Sequence, residues 1–272
     1  MLSIITAIFN QRALNVLFHE YLVKYTYNPF ELIIIDNHST DGSREFFKSV
    51  GAIVIENDGN YSYPFCQNQG LRVAHHDILA FLNNDIIVSP NWDKHILEVM
   101  RVQNLQVVTC CGIERLEDDC QTHLYKRKWK LIKNVIGCLG HNNFTFKWMF
   151  RLMYGNWERF AESRWREFGT STREGFVGNT VVMKRDVLDK IGRWDERVNA
   201  GDFDLYMRTK ERFFNCGDVK PSHIALGVFN HHYIRMTLNK THPKFKDLDN
   251  PVSLKEKWGA QKLEKYLKDL HA

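Results

Sequence analysis

The chain has 272 residues, 44% of them hydrophobic and 25% charged, which excludes a disordered polymer, a coiled coil and a disulfide-stapled miniprotein. It can bury a large core in one α/β domain or two small ones. The net charge of +5 suits a phosphorylated small molecule or an anionic membrane surface and is too weak to imply nucleic acid.

The opening stretch MLSIITAIFN has no basic region and no small-residue cleavage site, and it breaks at Asn10, so it reads as a first strand rather than a leader. Short apolar runs follow one another at 4–9, 32–35, 52–55, 78–82 and 107–111. Strands apolar on both faces belong to a sheet covered on both sides. Between them, 13–24, 43–48, 65–74 and 92–102 have helical character and are long enough for crossovers. The pattern predicts right-handed βαβ units, a mostly parallel sheet, and ligands outside the carboxyl ends of its strands.

From 120 to 157 no acidic residue occurs. Lys126, Arg127, Lys128, Lys130, Lys133, Lys147 and Arg151 alternate there with Trp129, Phe144, Trp148, Phe150 and Tyr154. This marks a basic aromatic helical insertion, read either as a contact with an anionic membrane or as a lid or dimer contact with a solvated basic face. Regular α/β character then resumes with a strand over 176–183, a helix from Arg185, an acidic stretch at 201–204 opening another helix, and a strand ending near His231. The tail pairs Ser253 with Glu256 as a capping box and spaces Leu254, Trp258, Leu263, Leu267 and Leu270 as one amphipathic helix. The expected divisions are 1–114, 115–172, 173–235 and 236–272.

Six cysteines, Cys66, Cys110, Cys111, Cys120, Cys138 and Cys216, form no C-x-x-C pair and no zinc spacing, which fits reduced thiols in the cytoplasm. No run reaches the roughly 18 apolar residues that cross a bilayer. The expected location is cytoplasmic, free or peripheral on the inner face of the cytoplasmic membrane.

Two apolar strands stop at carboxylates, LIIID at Asp36 and ILAFLNND at Asp85. Asp and Asn also favour turns and caps, so neither position alone decides the matter. Asn83, Asn84 and Asp85 together, at the ligand edge, suit a hard divalent cation held by one or two carboxylates and a substrate's phosphates. The turn after the first strand reads AIFNQRA, without the G-x-G-x-x-G of a dinucleotide fold, and no P-loop pattern is present. A nucleotide would therefore be held by side chains and a metal.

Four motifs in order carry a resemblance to a known family: SIITAIFN, IIIDNHSTDGS, NDGNYSYPFCQNQGLRVAHHDILAFLNNDIIVSPNW and GFVGNTVVMKRDVLDKIGRWDERVNAGDFDLYMR. The chain resembles the inverting glycosyltransferases of family 2, which implies the GT-A fold, a nucleotide-diphosphate sugar donor and a divalent cation, Mn²⁺ or Mg²⁺. By that resemblance Thr6, Phe9, Asn10 and Asp36 hold the base and ribose, with Asn68, Asn83 and Asn84 as further donor contacts. Asp41 and Ser43 cap the next helix. The family's D-x-D becomes Asn83, Asn84, Asp85, with Pro90 at the usual spacing; Asp85 takes the metal, and Asn83 stands where an acid would touch ribose. AGDFDLYMR resembles E-D-x-D-L, with Asp202 as catalytic base, Asp204 as second acid and Gly201 in place of Glu. His231, of the pair His231 and His232, is the expected further metal ligand.

The resemblance implies inverting transfer to a glycan or lipid-linked glycan acceptor, in surface polysaccharide or lipopolysaccharide assembly. Two other classes remain open: a sugar nucleotidyltransferase, which would want a glycine-rich basic loop after the first strand, and a non-catalytic glycan-binding protein on the same scaffold. The sequence leaves the oligomeric state, the donor's base and sugar, and the acceptor undetermined.

Overall fold

The computed structural model describes residues 1–234, 236 and 243–267. Its first half alternates strand and helix: β1 (Leu2–Ile8), α1 (Arg12–Tyr25), β2 (Phe30–Asp36), α2 (Ser43–Ser49), β3 (Ile53–Glu56), α3 (Tyr63–Val73), β4 (Ile78–Leu82), β5 (Ile86–Ile87), α4 (Trp92–Val102) and β6 (Val107–Cys111). Alternate residues of β1 face opposite layers. Leu2, Ile4 and Ile8 pack with Leu14, Leu17 and Phe18 of α1, whereas Ile5 packs with Cys66 and Leu71 of α3. Both sheet faces are thus covered, which is why these strands read as unbroken apolar runs.

After β6 come three helices, α5 (Asp119–Ile136), α6 (Asn143–Tyr154) and α7 (Trp157–Phe168). The chain then returns with β7 (Thr172–Glu174), β8 (Thr180–Lys184), α8 (Leu188–Ile191), α9 (Gly201–Cys216), β9 (His223–Phe229), β10 (His231–His232), α10 (Leu254–Trp258) and α11 (Ala260–Leu267). The eight-stranded sheet has the order β3-β2-β1-β4-β8-β6-β9-β7. Pairs β3/β2, β2/β1, β1/β4 and β6/β9 are parallel, while β8 runs antiparallel between β4 and β6 and β7 antiparallel on the far edge.

The antiparallel strand β8 has a specific consequence. Leu82, the last residue of β4, pairs with Thr180, the first of β8, so the residues entering β8 lie beside those leaving β4. A separate ribbon pairs His232 with Ile86 and His231 with Ile87, bringing the histidine pair to the same corner.

The insertion is helical as expected, but its aromatics divide between two faces. Trp129, Phe150 and Trp157 are buried and belong with Phe229 and Tyr233 to the main core, whereas Phe144 and Trp148 face solvent. The strand expected over 176–183 forms only from Thr180, because 175–179 run along the site as a loop. The tail's capping box is present, but Gly259, at φ 74°, divides the expected single helix into α10 and α11; Leu270 lies outside the described residues.

Gly70 on α3 allows the helix to press on the sheet: a Cβ there would sit 2.3 Å from Ile5 Cγ2 and 3.2 Å from Ile35 Cδ1. Gly70→Ala gains about 0.5–1 kcal/mol of helix propensity but overpacks the core at a cost of about 1–3 kcal/mol. The net expectation is a lower denaturant midpoint; a higher one would mean that α3 does not pack this closely on β1.

Candidate active site

The chain leaving β4 turns through Asn83 and Asn84 into Asp85, which is only 7% exposed. His232 Nε2 lies 3.1 Å from Asp85 Oδ1, and its Nδ1 is hydrogen-bonded to Glu114. Burial alone would make the imidazole less basic, but the two carboxylates outweigh it and hold the His232 pKa well above the ordinary value. Burial likewise works to raise the Glu114 pKa, and the charge of His232 prevails and lowers it. Asn179 Nδ2 lies 3.2 Å from each Glu114 oxygen, so Asn179 helps orient this row of charges.

Asp202 stands in the first turn of α9. The residue is partly exposed, yet its Oδ1 is buried and finds no hydrogen-bond partner, and desolvation pushes the carboxyl pKa up to about 7. The Tyr63 hydroxyl and Trp194 Nε1 are also buried without partners, and their rings meet edge to face at 5.3 Å. Any Cβ at Gly178 would come within 2.2 Å of Asp202 Oδ2, so only glycine lets this carboxylate lie against the loop.

The dipeptide Gly178–Asn179 joins the two groups. Gly178 abuts Asp202, while the Asn179 carbonyl accepts the Asn83 N–H at 3.0 Å and its amide reaches Glu114. This short stretch of backbone thus abuts Asp202 directly and connects to Asp85 through Asn179, Glu114 and His232.

Several other predicted residues have different tasks. Asp204 is fully buried and points to the tail, held by Lys257 at 2.5 Å, Arg208 at 2.8 Å and Trp258 Nε1 at 3.0 Å. With its oxygens engaged in fastening α9 to α10, it is not a second acid of the site. Asp36 is fully buried too, and its carboxylate is engaged by Arg44 Nε at 2.7 Å and by the Ser39 N–H. Thr6 is enclosed within β1 and offers no surface to a ligand. Asn10 joins two loops: its N–H donates to Ser39 Oγ, its side-chain oxygen accepts from Thr40, and its carbonyl accepts from Asn15. Asn68 is buried and spends its amide on Trp194 and Glu196, holding the Trp194 loop rather than meeting a donor. Asn84 donates to Asn15 on α1. Phe9 and Asn83 stay partly exposed at strand ends.

The histidine expectation shifts by one residue. His231 is fully buried among the rings of Trp129, Phe150, Tyr154 and Tyr233, with Nδ1 2.9 Å from the Tyr154 hydroxyl. His232 is the one that reaches Asp85, because neighbouring residues of a strand point to opposite faces. Glu114, Asn179, Tyr63 and Trp194 were not singled out from the sequence. Only Glu114 carries a signal there, as a carboxylate just past the apolar run of β6.

Among the described residues no cluster of three or more His, Cys, Asp or Glu side chains is arranged as a cage for a metal ion. Asp85 and His232 Nε2 nevertheless converge, and a carboxylate on the far ring nitrogen is how proteins orient a histidine ligand; a cation there would take the place of the Nε2 proton that His232 shares with Asp85. Two protein ligands suit a hard ion that completes its shell with water and phosphate oxygens.

The sequence profile described as "Glycosyl transferase family 2" matches residues 3–192. Over 196 residues the chain is 24% identical to the O-antigen biosynthesis protein RfbC of Myxococcus xanthus, an alignment covering 69% of this chain and 14% of that protein. The chain thus spans a small part of that relative's length. Among solved structures, the mannosyltransferase PcManGT from Pyrobaculum calidifontis, in complex with GDP-Man and Mn²⁺, superposes with a TM-score of 0.57 at 13% identity, over 87% of this chain and 57% of that one. S. aureus TarS 1-349 in complex with UDP gives 0.53 at 12%, over 85% and 60%. These likenesses show the GT-A fold. With the profile extending from the first strand to the end of α8, the chain belongs to glycosyl transferase family 2.

Proposed function

We propose that the chain transfers a glycosyl group with inversion from a nucleoside-diphosphate sugar to a hydroxyl of a glycan or lipid-linked glycan, using Mn²⁺ or Mg²⁺ held by Asp85 and His232. The process would be surface polysaccharide or lipopolysaccharide assembly in the cytoplasm, on or near the membrane's inner face. The carrying observation is the Gly178–Asn179 stretch, which borders Asp202, with its unpartnered Oδ1, on one side and meets the Asp85–His232–Glu114 row through the Asn179 amide on the other. Donor nucleotides in two fold neighbours, GDP-Man and UDP, and the naming of a relative for O-antigen biosynthesis support the same reading.

In this reaction the acceptor oxygen attacks the anomeric carbon while its proton passes to Asp202. The new glycosidic bond forms on one face as the carbon–oxygen bond to the diphosphate breaks on the other, and the electron pair leaves with the nucleoside diphosphate. Burial suits Asp202 to this role, since a base is most effective when its pKa lies near the working pH. Tyr63, whose unpartnered hydroxyl is buried, and Trp194 line the apolar wall that keeps Asp202 poorly solvated. A bound cation would supply charge neutralisation to the departing diphosphate. Glu114 keeps the His232 ring in place, and Asn83 offers an amide toward ribose without adding another charge.

Asp202→Asn removes the base while keeping the shape. Turnover should fall about 10²- to 10⁴-fold with donor binding unchanged in a thermal-shift assay; full turnover in this variant refutes the assignment, and nucleotide binding without turnover in the unaltered protein favours a purely glycan-binding role.

Only the deprotonated carboxylate accepts a proton. kcat/KM should therefore rise with pH up to about 7 and fall about tenfold per unit below it; a profile flat from pH 5 to 8 would contradict this.

A nucleoside diphosphate at 100 times its Kd should raise stability by about 2.7 kcal/mol. Mn²⁺ should strengthen that binding in the unaltered protein and not in Asp85→Ala or His232→Ala, whereas equal strengthening in all three would place the ion elsewhere.

A further inference from the structure

Helix α5 has two apolar stripes where a peripheral helix of a globular core needs one. Thr122, Trp129, Ile132 and Ile136 face inward and are buried. On the outward side, Leu124, Leu131 and Val135 are 57%, 66% and 58% exposed. Helix α6 repeats the arrangement: Phe146, Met149, Phe150 and Met153 are buried, while Phe144, Trp148 and Leu152 are 72%, 40% and 43% exposed at four-residue spacing. Exposed apolar side chains concentrated on two adjoining helices mark an interaction surface rather than the usual scatter.

The charges among them determine the partner. Lys126, Arg127, Lys130 and Arg151 have no carboxylate partner among the described residues, and no acid occurs from 120 to 157. Lys147 pairs with Glu20 of α1, and Lys128 donates to the Met153 carbonyl, so these two are structural cations within the patch. A groove of about 710 Å³ runs along α5 between Leu124 and Leu131, with Arg127, Lys128 and Lys130 on its walls. Apolar and aromatic side chains beside unpaired cations match the headgroup boundary of an acidic bilayer, where rings and aliphatic chains enter and cations meet lipid phosphates. A soluble acidic protein would satisfy the cations but leave Leu131, Val135 and Phe144 without comparable depth to enter.

We propose that the outward faces of α5 and α6 dock the enzyme on an anionic membrane surface. The surface goes beyond the catalytic reading, and its test needs no turnover, so either can fail alone. The full chain should cosediment with vesicles of phosphatidylglycerol and phosphatidylcholine, bind pure phosphatidylcholine far more weakly, and be largely released by raised salt.

Reversing Lys126, Arg127 and Lys130 to Glu should lower vesicle affinity by about a hundredfold or more, given that each basic residue near such a surface contributes about 1 kcal/mol. Replacing the exposed pair, Phe144→Ser with Trp148→Ser, should weaken binding at every salt concentration without changing thermal unfolding. Equal binding of the charge-reversed and unaltered proteins overturns the proposal. So does a concentration-dependent dimer that the Phe144/Trp148 variant abolishes in a protein that ignores vesicles, because the occupant is then a second copy.

Discussion

The active edge depends on a single insertion of backbone: one antiparallel strand entering an otherwise largely parallel sheet between β4 and β6. Parallel strands deliver their carboxyl ends to one side, and a chain running the other way begins there. The start of β8 can thus approach the end of β4 closely enough for the Asn83 N–H to meet the Asn179 carbonyl. The candidate catalytic side chains are arranged around that junction. A side chain at position 178 would displace the Asp202 carboxylate, and loss of the Asn179 amide would leave the Glu114 oxygens with one fewer donor.

The electrostatics differ on the two sides of the junction. His232 lies between two carboxylates and carries the charge that balances them, so this side is rich in ions and well hydrogen-bonded. Asp202 has no such company, and its carboxylate is poorly solvated and poised to take up a proton. Setting a compensated cluster on one side of a short backbone stretch and an uncompensated acid on the other suits two chemically identical carboxylates to different roles.

Much of the fold was legible because its signals are local. Apolar runs closed on both faces, together with intervening helical segments, predict β1 to β4, β6 and α1 to α4 closely, while the two-residue β5 is too short to show as a run. Strand ends and resemblance point to Asp85 and Asp202, which lie on either side of the Gly178–Asn179 backbone and its side-chain contacts. Asp36, Asp204, Thr6 and Asn68 show where such reasoning stops: each sits at a plausible position, but tertiary partners had already claimed or enclosed its side chain. Which of His231 and His232 faces Asp85 follows from strand parity, and a two-residue ribbon offers too little periodicity to fix it beforehand. Tyr63 and Trp194 come beside Asp202 only through packing among distant segments, for which the linear order holds no cue, whereas Glu114 shows only the weak one of an acid just past β6.

Asp204 joins the helix that bears Asp202 to the tail through Lys257 and Trp258, and Lys257 also binds Asp195 next to Trp194. A carboxylate buried this completely becomes a liability of about 3–5 kcal/mol once its partners withdraw. The last helices are therefore coupled to the proposed base Asp202 without touching it. Heat or a protease that first frees the chain around Gly259 would disturb α9 and the Trp194 loop together, so catalytic competence would be lost while the eight-stranded sheet remained intact.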